Sequence, residues 1–278
     1  MKVLVVGDFH GTFSNKFLKI IKKDKIDVVV SNGDYLPFSY RKLWFKHCFG
    51  KDVDLWEFIG KRRYNKLIKK DLVAGERVLK VLDNLPVRVF TTLGNVDYPM
   101  PDDISDVKRY RDSTKRAKEF TSFFKKYKNV KRVDYKALRF GDFVFVGART
   151  HSAPGDPKSK AFKKHKKILD KLFSKFRKEN KDKKVIFVSH NVPYNTKLDK
   201  ISMKAHELVR GKHYGSKLVR KTIDKWKPGV HIGGHIHEGR GKQNLKGTLC
   251  INPGSAHEGH AVVLEIPDKG KIKTRFVR

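Results

Sequence analysis

The sequence predicts an α/β fold in which strands and helices form packed layers. Short runs rich in Val, Ile and Phe alternate along the chain with longer, lysine-rich segments of helical period. Such alternation is typical of α/β proteins. Several of the short runs are apolar at every position, as expected of strands that are covered on both faces. A chain of 278 residues is long enough to bury a substantial core without disulfides.

Nine of the short runs are predicted to be strands, because they are rich in β-branched residues and end in glycine, proline or polar residues. The last two form a hairpin around Asp268, Lys269 and Gly270. The predicted strands lie at residues 3–6, 28–30, 87–92, 143–146, 185–188, 230–232, 249–251, 261–266 and 272–277.

The segments between these strands are predicted to be helices. From Phe162 to Phe176, apolar residues recur at helical spacing and lysines fill most other positions, which indicates a helix with one buried face. A second helical segment covers residues 203–226, with an interruption at residues 211–215, and Pro228 follows its end.

Residues 35–76 do not follow the alternation. This segment places aromatic residues such as Trp44, Trp56 and Phe58 among many basic ones. We expect it to be an insertion, or subdomain, within a single domain that spans residues 1–278. Ordinary helix packing is the favoured explanation for its aromatic residues, and a lid or a base-stacking surface are the alternatives.

The charge of the chain is strongly unbalanced, with 64 Lys and Arg against 29 Asp and Glu and a net charge of +35. Such a field attracts polyanions such as nucleic acid or phosphorylated substrates. The alternative is a lysine-rich composition without a specific partner, although thermophilic ion-pair networks enrich Glu together with Lys. Basic residues crowd two segments, at 108–139 and 158–184, and a continuous face near the site would favour nucleic acid.

The cysteines and the apolar runs bear on the compartment. With only Cys48 and Cys250, the chain is not a secreted disulfide scaffold. The start of the sequence lacks a signal-peptide pattern, and no apolar stretch is long enough to span a bilayer. We therefore expect a cytoplasmic protein; its oligomeric state stays open.

Polar residues follow five of the predicted strands at the point where each strand ends. In open α/β sheets the carboxyl edge is where sites form, so we expect the five endings to converge. The endings are Gly7-Asp8-Phe9-His10-Gly11, Asn32-Gly33-Asp34, Gly94-Asn95-Val96-Asp97, Ser189-His190-Asn191 and Gly233-Gly234-His235-Ile236-His237.

The residue types at these endings indicate a metal site. Asp8 and His10 are two positions apart, as are His235 and His237, and in extended chain such residues point to the same side. Carboxylate and amide oxygens mixed with imidazoles suit Mn²⁺, Fe, Zn²⁺ or Ni²⁺, whereas a structural zinc site would use thiolates. We expect Mn²⁺ first, with Mg²⁺ as a further alternative.

The five endings resemble the motifs of the calcineurin-like metallophosphoesterases, which are D-x-H, G-D, G-N-x-[DE], a single His and G-H-x-H. The resemblance extends from Asp8 to His237. The stretches NVPY, KLD, HYGS and GGHIHEGRG, followed by TLCINPGS, are similar to archaeal and bacterial predicted phosphoesterases related to cyclic-AMP phosphodiesterases.

The resemblance implies a four-layer α/β/β/α sandwich of two mixed sheets, and a site that holds two metal ions. A hydroxide that bridges the two ions would attack phosphorus, as in other two-metal sites. The resemblance also implies the ligands: Asp8, His10 and His237 for one ion, Asn95, His190 and His235 for the other, and Asp34 between them.

One position departs from the family pattern. Many members have a His directly after the Asn of G-N-x-[DE], where it protonates the leaving group, but here that residue is Val96. The enzyme is therefore expected to favour activated leaving groups, unless a metal-bound water or His213 donates the proton. Asp97 is a candidate for orienting a ligand, and His151 is a candidate for facing the site.

We expect a dinuclear-metal-dependent phosphoester hydrolase, with a nucleotide or nucleic-acid diester ranked first because of the charge. A nucleic-acid- or partner-binding protein with an idle metal site is one alternative. A protein phosphatase is the other.

Overall fold

Twelve strands are present in the computed structural model, which describes residues 1–51, 53–97, 111–268 and 270–278, without the side chains of 111–115. The strands are β1 (Lys2–Val6), β2 (Val28–Ser31), β3 (Arg88–Thr91), β4 (Val130–Arg132), β5 (Ala137–Phe140), β6 (Phe143–Ala148), β7 (Val185–Asn191), β8 (Val230–Gly234), β9 (Gly241–Leu245), β10 (Thr248–Asn252), β11 (Ala261–Glu265) and β12 (Lys273–Val277).

The strands form two mixed, six-stranded sheets. The first sheet has the order β12-β11-β1-β2-β3-β4, and the second has the order β5-β6-β7-β8-β10-β9. In the first sheet, β1 to β4 are parallel and the β11–β12 hairpin is antiparallel to β1. In the second sheet, β6, β7, β8 and β10 are parallel, and the antiparallel strands β5 and β9 form the two edges.

Helices cover the outer face of each sheet. The described helices are α1 (Lys16–Lys23), α2 (Arg41–His47), α3 (Leu55–Ile59), α4 (Lys61–Asp83), α5 (Arg111–Phe123), α6 (Lys160–Lys175), α7 (Arg177–Lys181) and α8 (Lys217–Trp226). Within the described ranges, every helix is too short or too polar to cross a membrane.

Three apolar layers hold the sandwich together. The middle layer lies between the sheets, where Val5 and Val30 of the first sheet join Ile186 and Ile232 of the second. The other two layers lie under the helices, with α1 and α4 against the first sheet and α6 and α8 against the second. The predicted four-layer α/β/β/α sandwich is therefore confirmed.

All nine predicted strands are present, but three more were missed. The strand β4 is only three residues long, and β9 has the polar sequence GKQNL. The strand β5, like β9, is an edge strand. An edge strand can leave alternate side chains in solvent, so it lacks the continuous apolar pattern by which the central strands were recognised.

The prediction of a helix over residues 203–226 is wrong in its first half. The described helix α8 covers only Lys217–Trp226, whereas residues 202–216 are mostly turns and loop. Met203 and Leu208 are among the exposed large apolar side chains. A short amphipathic segment that buries no apolar face against the protein gains too little to form a helix.

The aromatic residues of the 35–76 segment pack mainly against one another. Tyr40 lies edge-on to Phe38 and Tyr64, and Trp44 contacts Phe45. A small core around Tyr40, Cys48 and Leu55 joins these helices to the start of α4. This packing supports the ordinary-packing explanation for the aromatic residues over base stacking.

One buried histidine makes the second sheet sensitive to acid. His231 in β8 is fully buried, and its Nε2–H donates to Ser189 Oγ at 2.8 Å, since that hydroxyl itself donates to Asn191 O. Burial lowers the pKa of His231 to about 3. A proton therefore binds His231 in the unfolded chain, with a reference pKa of 6.5, before it binds the folded protein.

We expect His231 alone to remove about 2 kcal/mol of unfolding free energy between pH 7 and pH 5, because only the unfolded chain is protonated in that window. Urea unfolding of wild type and His231→Gln at both pH values measures the difference. The Gln variant should lose less stability on acidification. Equal losses in the two proteins would show that His231 does not carry this pH dependence.

Candidate metal centre

The carboxyl ends of strands from both sheets meet at one edge of the sandwich. Two groups of side chains come together there, and in each group the nitrogen and oxygen atoms lie within 4.8 Å of one another. The first triad is Asp8, His10 and His237, and the second triad is Asp34, His190 and His235. Each triad combines residues of the first and the second sheet, so the site exists only where the sheets meet.

The first triad follows β1 and β8. His10 Nε2 lies 3.4 Å from His237 Nε2, and His237 Nε2 lies 3.4 Å from Asp8 Oδ1. The Nδ1 atom of His10 faces the carbonyl oxygen of Leu36 at 3.4 Å. Since a carbonyl only accepts, Nδ1 carries the proton and the Nε2 lone pair of His10 points into the triad.

The second triad follows β2, β7 and β8, and Asn95 lies beside it. His190 Nδ1–H donates to Asn32 O at 2.9 Å, so the Nε2 lone pair of His190 points inward. That Nε2 atom lies 2.8 Å from Asn95 Oδ1 and 3.6 Å from Asp34 Oδ2. Lone pairs from three side chains thus converge on one point, which is the arrangement that a cation stabilises.

Asp34, a member of the second triad, also acts on the first. Its Oδ1 accepts the backbone N–H of Val96 at 3.0 Å, while Oδ2 faces His190. Burial lowers the pKa of His10, and the carboxylate charge of Asp34 opposes that lowering. The pKa of His237 is raised despite its burial, by the hydrogen bond and charge of Asp8 and, to a smaller extent, by the charge of Asp34. The Asp34 carboxylate therefore acts on the histidines of the first triad as well as on its own triad.

The electrostatics of the site fit bound cations. Burial would raise the pKa of Asp8, but the hydrogen bond and charge of His237 outweigh it and hold the pKa well below its usual range. Burial lowers the pKa of His235, and nearby His190 lowers it further. Asp8 Oδ1 is buried, and among the described residues it has only the long 3.4 Å contact with His237 Nε2. A buried carboxylate beside several imidazoles is a suitable donor set for a divalent ion.

Four of the seven candidate ligands have a strained backbone. The φ angles are 53° at Asp8, 45° at His10, 55° at Asp34 and 71° at His235, in the left-handed region that side chains other than glycine rarely adopt. Each such residue costs about 1 kcal/mol or more. Strain concentrated on these positions indicates that the fold aims these side chains at a common point.

Asn32 is a positioning residue that the sequence reasoning did not single out. Its Nδ2 donates to Asp8 Oδ2 at 3.1 Å, and its carbonyl holds His190. The side chain fills a gap between Gly7 and Gly234, where a Cβ on Gly234 would lie 1.6 Å from Asn32 Nδ2. The only feature of the sequence that could have indicated this role is the position of Asn32 immediately before Gly33 and Asp34.

Asp97 organises the backbone around the site. Its carboxylate accepts N–H groups of Tyr35 at 2.8 Å, Gly94 at 3.0 Å and Leu36 at 3.1 Å. Burial, together with the charge of Asp34, raises the pKa of Asp97 to about 7. Leu36 O in turn faces His10, so Asp97 orients that side chain through the loop and not by direct contact.

The other residues considered in the sequence analysis, at positions 96, 151 and 213, differ in burial and in their distance from the triads. Val96 is 7 % exposed and packs in the apolar layer between the first sheet and its helices. His151 lies near the second triad, because its carbonyl oxygen accepts a hydrogen bond at 3.2 Å from the side chain of Asn191, the residue after His190. His213 lies outside both triads, and its Nδ1 contacts Asp199 Oδ1 at 2.7 Å. Asp199, which is fully buried, was not among the predicted site residues.

Comparisons with known proteins agree with this geometry. The family model of the calcineurin-like phosphoesterases matches residues 1–239. No curated protein sequence matches the chain. One solved structure superposes with a TM-score of 0.66 at 20 % identity, over 99 % of this chain and 98 % of the other.

Two further structures are more distant. A dimetal phosphatase from Danio rerio has a TM-score of 0.50 at 12 % identity, over 99 % of this chain and 95 % of its own. An archaeal phosphodiesterase has a TM-score of 0.38 at 13 % identity over the whole of both chains. At these identities, the structure with a TM-score of 0.66 and the Danio rerio phosphatase support the fold alone. The archaeal phosphodiesterase superposes too poorly to support any conclusion about this chain.

Replacing the shared carboxylate should affect both metal sites. In Asp34→Asn we expect metal content to fall from two ions per chain towards zero and phosphoesterase activity to fall at least about 100-fold, because even the loss of a residue that only orients a ligand costs up to about 100-fold. Metal analysis after gel filtration in Mn²⁺ measures the first effect. A variant that keeps two tightly bound ions would refute the assignment of Asp34.

Proposed function

Because the chain belongs to the calcineurin-like phosphoesterase family and is a metal-dependent phosphoesterase, we propose that it cleaves phosphodiester bonds in a nucleotide or nucleic acid. The observation that carries this proposal is the pair of adjacent triads, in which one carboxylate acts on both. Two divalent ions bound there would neutralise phosphoryl charge and lower the pKa of a water nucleophile.

The ligand assignment is part of the proposal. Asp8, His10 and His237 hold one ion, Asn95, His190 and His235 hold the other, and Asp34 contacts both. The inward lone pairs of His10 and His190 support this assignment. Mn²⁺ is the proposed metal because the donors mix oxygen and imidazole.

A diester is proposed over a monoester for an electrostatic reason. The net charge of +35 suits a polyanionic substrate. A nucleic-acid diester presents a row of phosphate charges, whereas a phosphopeptide presents single phosphoryl groups and would not demand this much positive charge. This supports a phosphodiesterase over the alternative of a protein phosphatase.

A histidine–aspartate pair is the proposed source of the leaving-group proton. Since Val96 packs in the apolar layer, position 96 offers no donor. His213 donates its Nδ1–H to the buried Asp199 carboxylate, which fixes the ring and directs the second nitrogen, Nε2, away from Asp199. Asp199 is itself held by N–H groups of Thr196 at 2.7 Å and Gly215 at 2.9 Å.

Contacts on both sides of this pair support its position beside the metal centre. Asn191, which directly follows His190, donates to Tyr214 O at 2.9 Å. Gly239, two residues after His237, lies so close to Leu198 that a Cβ there would be 2.0 Å from Leu198 O. Leu198 is followed in the chain by Asp199, and Tyr214 is preceded by His213. The pair therefore borders the metal centre.

The domain organisation also remains part of the proposal. We treat residues 1–278 as one domain and residues 35–76 as a subdomain within it. The helix α4 begins in the subdomain at Lys61 and continues to Asp83, where its second half packs against the first sheet. This continuous helix supports a subdomain that is rigidly attached to the sandwich.

Two chromogenic substrates test the function. With Mn²⁺, we expect kcat/KM for bis(p-nitrophenyl) phosphate to exceed that for p-nitrophenyl phosphate by at least about tenfold, or about 1.4 kcal/mol in transition-state stabilisation. The Asp34→Asn variant serves as the inactive control. Faster monoester hydrolysis would favour the protein phosphatase. Metal binding without hydrolysis of either substrate would favour the idle-site alternative.

The proposed proton donor predicts a dependence on the leaving group. In His213→Gln, hydrolysis of a dinucleotide, whose leaving group is an alkoxide, should fall about 100-fold, the usual contribution of a general acid. Hydrolysis of bis(p-nitrophenyl) phosphate should change much less, because nitrophenolate needs no proton to leave.

His206→Gln is the matched control, because His206 is a histidine of the same loop that contacts Phe49 and not Asp199. It should leave both rates unchanged. Equal losses on both substrates in His213→Gln would mean that His213 only supports the loop.

A further inference from the structure

We propose that the outer side of α6 binds the phosphate backbone of a duplex nucleic acid and guides it to the metal centre. This proposal rests on the proposed phosphodiesterase function and names its substrate class. The surface, called here the α6 face, consists of Lys160, Lys163, Lys164, Lys167, Lys171 and Lys175.

The lysines of the α6 face form a regular stripe. Each is exposed, whereas Phe162, Leu169 and Phe173 point to the core. Positions 160, 164, 167, 171 and 175 follow the spacing that aligns side chains along one side of a helix. From the first to the last, the stripe is about 22 Å long at 1.5 Å per residue, which matches about six base pairs of duplex.

These lysines are not neutralised by the protein. Within the part of the chain that the structure describes, none of the six pairs with an acid. The acid of this helix, Asp170, is already bound by Lys166 at 2.8 Å and by Lys225 at 2.9 Å. The whole stripe is therefore available to release counterions from a polyanion.

Part of the other basic segment adjoins the α6 face. Tyr135 stacks on His165 of α6, with ring centroids 4.6 Å apart, and Arg139 pairs with Glu179 of α7. Lys136, the residue after Tyr135, is exposed. Only the last part of the first basic segment therefore lies beside α6 and α7, whereas α5 packs with α4 on the other helical layer and residues 108–110 lie outside the described residues.

The composition of this surface favours a duplex over other polyanions. Among described side chains, the exposed large apolar ones are Leu18, Phe58, Val73, Met203 and Leu208, and none lies on the α6 face. Anionic membranes are usually bound with an apolar contribution, and single strands with stacking aromatic residues. A bare row of cations suits the backbone of a duplex, which needs neither.

The α6 face leads towards the metal centre. The loop before α6 contacts the end of β7, where Asn191 donates to His151 O at 3.2 Å and Asn191 N donates to Thr150 Oγ1 at 2.8 Å. Because β6 and β7 are parallel and α6 lies between them in the chain, the first turn of α6 lies towards the carboxyl edge of the second sheet, where the metal centre is. A backbone that follows the stripe towards Lys160 approaches the scissile position.

A matched pair of charge variants tests the proposal. In the first, Lys160, Lys164, Lys167 and Lys171 become Gln. In the control, Lys66, Lys69, Lys70 and Lys80, which are exposed lysines of α4 on the opposite helical layer, become Gln. Both variants lose the same charge, and Gln retains helix propensity.

Fluorescence anisotropy with a labelled 20-base-pair duplex, at several salt concentrations and in EDTA, measures binding. The α6 variant should bind at least about tenfold more weakly, and its salt slope should fall by about 3.6, which is 0.9 for each lost phosphate contact. The control variant should resemble wild type.

Equal weakening in the two variants would show that binding follows the overall charge and would overturn the proposal. So would stronger α6-dependent binding to phosphatidylglycerol vesicles or to a single-stranded 20-mer than to the duplex. Wild-type turnover of bis(p-nitrophenyl) phosphate is measured separately. Its absence would remove the phosphodiesterase function whatever the binding result.

Discussion

Asn32 connects the two sheets at the point on which the metal centre depends. Its side chain donates to Asp8 of the first sheet, and its carbonyl accepts from His190 of the second. Gly7 and Gly234 leave the space that this side chain occupies. Each triad takes residues from both sheets, so a small shift between the sheets would separate the ligands. These buried hydrogen bonds hold the register of the sandwich where function needs it.

The residues of the metal centre also make unfavourable contributions to the folding free energy. Asp8, His10, Asp34 and His235 adopt left-handed backbone conformations, and the carboxylate of Asp8 is fully buried. Three extensive apolar layers supply the favourable free energy that tolerates this strain. Bound cations would relieve the convergence of lone pairs and buried charge, so metal binding and stability are coupled in this protein.

The positive charge of the protein lies on its surface and not among the candidate metal ligands. The seven candidate ligands are carboxylates, an amide and imidazoles in a buried edge, whereas the lysines lie on the helical layers outside. Metal ions would supply positive charge at the scissile bond, and the surface would supply the field that attracts a polyanion. If the proposed substrate is correct, catalysis and recruitment of the substrate are carried out by different layers of the fold.

The sequence by itself determined the central strands, the layered α/β class and the set of strand-end residues. Continuous apolar runs must be buried, and five of the nine runs were followed by Asp, Asn or His, mostly beside glycine. Only the tertiary structure decided the edge strands β4, β5 and β9, the loop at 202–216, and the roles of Asn32 and Asp199. Their positions depend on contacts between residues far apart in the chain, such as Asn32 with His190. Local sequence patterns do not predict such contacts, because the role of each of these residues depends on a partner that is distant in the chain and becomes a neighbour only on folding.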